Sequence, residues 1–433
     1  MPTCRKATPA ATSFRPIARQ GSERRSGALS PGDAARGGPP TRGPTGAEDV
    51  TLARDRGGHG GGPGWHLPSD TLRALAGGSQ GGRTRMRSIA ASDASHPRLV
   101  ELDALRGLAA LVVALYHFTA EYSDLYGHSV PLWGEARFGK YGVQLFFAIS
   151  GFVILMSLER ITRARDFVSS RAARLYPAYW TAVLLTFTVV SLFGLPNREF
   201  SLQTALINLT MFHELVRVPH VDTVYWTLTI ELSFYLLMFL IAYARALPRV
   251  IPLFIVLVSL QTLAELAFEA MGMPFVARLA SRPHLQFFAL GVLAFKQSRG
   301  EVSVPAALAL VGVCLAHEVF VGSIAPVPVF GVVLVLTYAL SRGALRWLTW
   351  RPLLFMGLIS YPFYLVHQNI GYVIIRRLEA AGWRPEAAIA VAFAVGFLLA
   401  TVITYRIEQP ALRAYRQLRR KAQERSAVSP HVA

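Results

Sequence analysis

From Glu101 onward the chain is a succession of long apolar runs separated by short polar breaks. A helix needs roughly 20 mainly apolar residues, 17 to 25 in practice, to cross a hydrocarbon core about 30 Å thick. Residues 141–158, 175–196, 224–244, 352–375 and 387–405 meet that length cleanly. Residues 104–122, 250–268 and 322–341 meet it with internal polar residues or, in the last, two prolines. Two shorter or more interrupted runs, 285–296 and 302–319, bring the expectation to about ten. The pattern predicts an all-α integral membrane protein of about ten transmembrane helices, with no internal repeat.

Residues 1–95 show no such periodicity. They are rich in Gly, Pro, Arg, Ala and Ser, cannot bury a core, and are expected to be a disordered leader. They lack the continuous apolar stretch of a secretory signal, and their glycine content and lack of amphipathic pattern argue against a transit peptide. An alternative start at Met86, just before the membrane part, stays open beside the disordered tail. The expected division is a leader over 1–95, a membrane domain over 96–412 and a basic cytoplasmic tail over 413–433.

Composition agrees with the membrane reading: 52% of the 433 residues are hydrophobic and only 16% charged, with a mean hydropathy of +0.37. The formal charge of +18 does not point to nucleic acid, because the cations are mostly arginines scattered through the leader and between apolar runs. They sort by side instead. With the N-terminus cytoplasmic, inside loops hold Arg160, Arg163, Arg165, Arg171, Arg174, Arg245, Arg249, Lys296, Arg299, Arg342, Arg346 and Arg351. The tail adds Arg406, Arg413, Arg416, Arg419, Arg420, Lys421 and Arg425. Both termini are therefore expected in the cytoplasm, with the protein in the inner (plasma) membrane. Arg376, Arg377 and Arg384 fall in one outside loop and fit this bias poorly. Cys4 and Cys314 have no metal-ligand spacing and are poor disulfide partners.

Ionisable groups inside a bilayer are costly and mark candidate sites. Arg106 and His117 lie eleven residues apart on the first predicted helix. They share one face, offset by about 20°, and are separated along the axis by about 16 Å. They cannot touch, but they could hold two ends of one elongated ligand. The plainer reading is a snorkelling arginine and a histidine bonded to a neighbouring helix.

The motifs decide between these readings. Leu102-Asp-Ala-Leu-Arg-Gly, with ten residues between the arginine and His117, resembles the opening signature of the membrane-bound acyltransferase family three. Four elements follow in the family's order: Phe146-Phe-Ala-Ile-Ser-Gly-Phe, then Arg171-Ala-Ala-Arg-Leu-Tyr-Pro-Ala-Tyr-Trp, then Trp226-Thr-Leu-Thr-Ile-Glu-Leu-Ser-Phe-Tyr, and Ser360-Tyr-Pro-Phe-Tyr-Leu-Val-His. Any one alone is weak; five in order are specific. Leu232 stands where many members carry a second glutamate, so only Glu231 corresponds.

The resemblance implies transfer of a short acyl group, acetyl foremost, from acyl-CoA to a hydroxyl of a surface glycan, macrolide or similar acceptor, without a metal. Counted from the predicted span ends at 1.5 Å per residue, His117, Ser150, Glu231 and His367 all fall in one layer outward of the midplane. That layer is the expected catalytic site, with His117 as general base and Ser150, Glu231 and His367 orienting it or binding acceptor or oxyanion. Glu121, four residues from His117, could reach it on the same face. Arg106, Arg171 and Arg174 cluster at the inner surface, where a coenzyme A head group would be held. The rival class is a secondary transporter or a lipid flippase, which equally places charges at mid-membrane.

Overall fold

A computed structural model describes residues 100–161, 164–273, 284–321 and 327–428. The leader with Cys4 and Met86, Arg163, the first residues of the eighth predicted segment and the last five of the tail lie outside them. Among the described residues all regular structure is helical, and each predicted segment coincides with a helix. In chain order these are α1 Val100–Tyr126, α2 Arg137–Leu158, α3 Ala164–Phe193, the short α4 Leu202–Asn208, and α5 Trp226–Tyr243. There follow α6 Val250–Ala270, α7 Leu285–Ser298, α8 Val304–Phe320, α9 Val327–Ser341, α10 Arg351–Ala380, α11 Pro385–Ile403 and α12 Gln409–Val428.

Among the described residues six helices are long and apolar enough to cross a membrane: α1, α2, α3, α5, α6, and α11 with its continuation into α12. α10 is also long, but it carries Ser360, His367, Gln368 and Asn369, all buried against its neighbours. The lipid-facing surface is apolar, as Leu192, Leu236, Leu240 and Leu398 are all more than half exposed. A bilayer gives such faces no reason to collapse, so helix association rests on close packing and interhelical hydrogen bonds.

Close packing is clearest between α1 and α10. A Cβ on Gly107 would stand 2.5 Å from the Leu353 carbonyl oxygen and 2.8 Å from the Gly357 nitrogen, and one on Gly357 would collide with the Asp103 backbone. Only glycine permits this approach. The two helices run parallel from this contact, so polar residues ten to twelve positions further along meet each other.

Several helices differ in length from the sequence reading, α10 running on to Ala380 and α2 starting at Arg137. α1 runs on to Tyr126 through a widened π turn at His117–Glu121, and α3 starts at Ala164, eleven residues before the expected 175. Residues 413–433, read as a tail, include most of α12, which follows a second π turn at Thr404–Glu408.

Candidate active site

The α1–α10 pair carries the first cluster. His117 Nδ1 lies 2.7 Å from His367 Nε2, and His367 Nδ1 lies 2.9 Å from the Tyr364 carbonyl oxygen. A carbonyl can only accept, so His367 Nδ1 holds the hydrogen and its Nε2 is the acceptor. His117 must then donate from Nδ1, which leaves its Nε2 as the basic nitrogen. That nitrogen faces Glu121 Oε2 at 3.1 Å. At that distance a proton taken up by the imidazole can be shared with the carboxylate. Gln368 Nε2 and Tyr372 Oη donate to the same Oε2, at 2.9 and 3.0 Å. Thr223 Oγ1 donates to Gln368 Oε1 at 2.6 Å, and Arg198 donates to Thr223 Oγ1 at 2.7 Å. The loop before α5 is pinned beside this network by Asp222, which accepts the Asn369 backbone N–H at 3.1 Å. Burial pushes the Asp222 carboxyl up to about 7.

The second cluster lies on α2, α3 and α5. Ser150 Oγ donates to Glu231 Oε1 at 2.8 Å, and Tyr235, one turn along α5, donates to the same oxygen at 2.5 Å. Arg171 stacks over the Tyr235 ring at 5.8 Å and donates to Ser157 Oγ at 2.7 Å. Arg174 stacks over the Tyr361 ring at 5.8 Å and pairs with Glu408, which the second π turn delivers fully buried. Arg106, Ser150, Glu231, Tyr235, Thr227 and Tyr364 line a narrow passage of about 100 Å³. Tyr364 is one helical turn before His367, with ring centroids 5.7 Å apart. Arg106, Arg171 and Arg174 also line a cavity of about 740 Å³ at the other end, walled by α12. The order is therefore basic cavity, three arginines, narrow passage, histidine pair.

This corrects the expectation of one layer. His117 meets His367, but Ser150 and Glu231 stand with Arg106. The reason is helix length. Gly139 lies against Val112 and Tyr116 and Gly142 against Ala109 and Val113, so antiparallel α2 begins far down α1 rather than level with its end. Eight residues further, about 12 Å, Ser150 is abreast of Arg106.

An acyltransferase domain family model matches residues 99–406. The chain belongs to this acyltransferase family. It is similar to the exopolysaccharide production protein ExoZ of Rhizobium meliloti (strain 1021), with 29% identity over 304 residues, 65% of this chain and 92% of that protein. No solved structure matches. With six helices among the described residues long and apolar enough to cross a membrane, the acyltransferase is a multi-pass membrane protein.

In the acyltransferase the sequence placed Arg106, Arg171 and Arg174 together, and the i+4 spacing signalled the reach of Glu121 to His117. It carried no signal for Gln368, Tyr372, Thr223 or Arg198, ordinary polar residues that only packing brings to Glu121. Tyr235 was visible as an i+4 neighbour of Glu231 but lay unread in the motif. Among the described residues no group of three or more His, Cys, Asp or Glu could hold a metal ion. Along α1 the cationic cavity and the narrow cavity above it are followed by the partly buried His117–Glu121 couple, with Tyr364 between the narrow cavity and His367.

Proposed function

We propose that the protein transfers a short acyl group, acetyl foremost, from acyl-CoA to a hydroxyl of a polysaccharide or related glycan. The observation that carries this reading is the alignment of cationic cavity, narrow passage and His117–Glu121 couple along α1. The nucleotide head of the donor sits among Arg106, Arg171 and Arg174, and its pantetheine arm rises through the passage past Ser150 and Glu231. The thioester then lies near Tyr364, below the couple. Ser150 and Glu231 thus belong to the donor arm, while His117, oriented by His367, is the base.

As the acceptor oxygen attacks the thioester carbonyl, its proton enters the His117–Glu121 couple. As the C–S bond breaks, a proton passes from the couple to the leaving sulfur, so the couple ends each turnover as it began. Glu121, held by Gln368 and Tyr372, stabilises the imidazolium beside it. The basic cavity opens to the cytoplasm and ten spans leave both termini there, in the inner membrane, as the arginine distribution supports. The glycan acceptor is supported by the likeness to an exopolysaccharide production protein.

The test uses membranes containing the full chain, supplied with acetyl-CoA labelled in the acetyl group and with cell-surface polysaccharide as acceptor. Label released by mild base from the polysaccharide, absent with His117→Ala, is the expected result. Acetyl-CoA left unconsumed while another acyl thioester supports transfer would remove the donor from this reading.

A further inference from the structure

The family match ends at residue 406, and α12 begins at Gln409. By position α12 is an appendage, yet its placement says otherwise. Gln409, Leu412, Arg413, Arg416 and Arg419 recur at helical spacing and line the 740 Å³ cavity opposite Arg106, Arg171 and Arg174. Three contacts fix that face. Arg419 pairs with Asp166 of α3 at 2.8 Å, Tyr415 Oη bonds Ser169 Oγ at 2.8 Å, and Glu408 at the base of the helix pairs with Arg174.

The charges do not balance. Six arginines line the cavity against two carboxylates, Asp103 and Glu408; Glu408 is taken up by Arg174, and among the described residues only Arg419 of the six has a further carboxylate, Asp166, beside it. Among the described residues neither Arg106 nor Arg416 has an ion-pair partner, and Arg413 only donates to the Gln409 carbonyl at 3.4 Å. Guanidinium groups gathered around a cavity repel one another, and an anion of high charge density between them relieves that repulsion. Arginine's planar fork suits phosphate oxygens in particular.

We infer that Arg413 and Arg416 form a phosphate-binding wall for the nucleotide head of the acyl-CoA donor, making the C-terminal helix part of the substrate site. This rests on the acyl-CoA reading above. The phosphates span the cavity between α12 and the arginines of α1 and α3, and the thioester end enters the passage.

The experiment measures steady-state kinetics of the purified full chain with two donors, acetyl-CoA and acetyl-pantetheine, the second lacking the nucleotide and its phosphates. Arg413→Ala/Arg416→Ala should raise KM for acetyl-CoA by roughly tenfold for each cation removed, with kcat unchanged. KM for acetyl-pantetheine should not move. Lys421→Ala, on the opposite face of α12, should match the wild type with both donors. Arg413→Lys/Arg416→Lys should recover part of the acetyl-CoA affinity. Unchanged acetyl-CoA KM in the double alanine variant overturns the assignment, and so does an equal rise for both donors, which would mean a packing role. A wild-type enzyme that never saturates with acetyl-CoA overturns the donor reading and this inference together. Saturation of the wild type with an indifferent double variant overturns only the role of α12.

Discussion

His117 has both ring nitrogens committed, Nδ1 to His367 and Nε2 to Glu121, and each commitment makes a different prediction. His117→Ala should lower acyl transfer by at least about a hundredfold, the usual scale for loss of a general base. The protein should stay at its normal level in the membrane, since the change makes α1 more apolar; turnover per milligram of membrane protein is the measurement, and near-normal turnover ends the base assignment. Glu121→Gln keeps size and hydrogen bonds but cannot hold the shared proton, so kcat should fall with little change in KM for the donor. Ser150 does not touch the couple and only donates to Glu231, so Ser150→Ala should keep activity within about tenfold. A loss from Ser150→Ala as deep as that from His117→Ala would place Ser150 back at the reacting centre.

At the scale of elements, the α1–α10 contact carries the site. Gly107 and Gly357 let the two backbones meet, and the histidine pair is the consequence three turns further on. Adding one methyl group at Gly357 must push Asp103 away, at a cost of about 1–3 kcal/mol by the usual scale of overpacking. Gly357→Ala should therefore lower the melting temperature in detergent and reduce turnover together. Gly312, also within a helix but with nothing within 4 Å of its built Cβ, supplies the contrast. Gly312→Ala should leave melting unchanged or raise it slightly, because alanine is the better helix former. Equal melting temperatures for the two variants would show that the close approach is not needed. The π turns belong to this scale as well. Each aims one carboxylate at a cation or imidazole, the half-buried Glu121 at His117 and the buried Glu408 at Arg174.

Across the whole molecule, the arginine-lined cavity and the His117–His367 pair stand at different positions along α1, so on the proposed acyl-CoA reading a cytoplasmic donor would serve an acceptor arriving from the opposite side. Sealed vesicles with labelled acyl-CoA confined to the cytoplasmic face should label an impermeant acceptor offered outside; labelling only when both share the cytoplasmic face would sink that arrangement. A chain started at Met86 should insert and turn over as the full chain does, since no apolar pattern lies before it; an inactive truncated protein present at normal level would contradict this. The sequence by itself located the apolar helices, their order and the polar residues each carries, but not α4 or α12. A bilayer obliges every span to satisfy its own backbone, so apolar length is enough to locate it. It also grouped Arg106, Arg171 and Arg174, which share one end of their helices. Depth across helices was a different matter. Counting from span ends assumes equal spans, whereas α1 overshoots the start of α2, so Ser150 and Glu231 meet arginines and not His117. Periodicity is a local property of one helix, while the meeting of His117 with His367, 250 residues away, or of α12 with α3, depends on which surfaces pack together. Those choices belong to the tertiary structure alone.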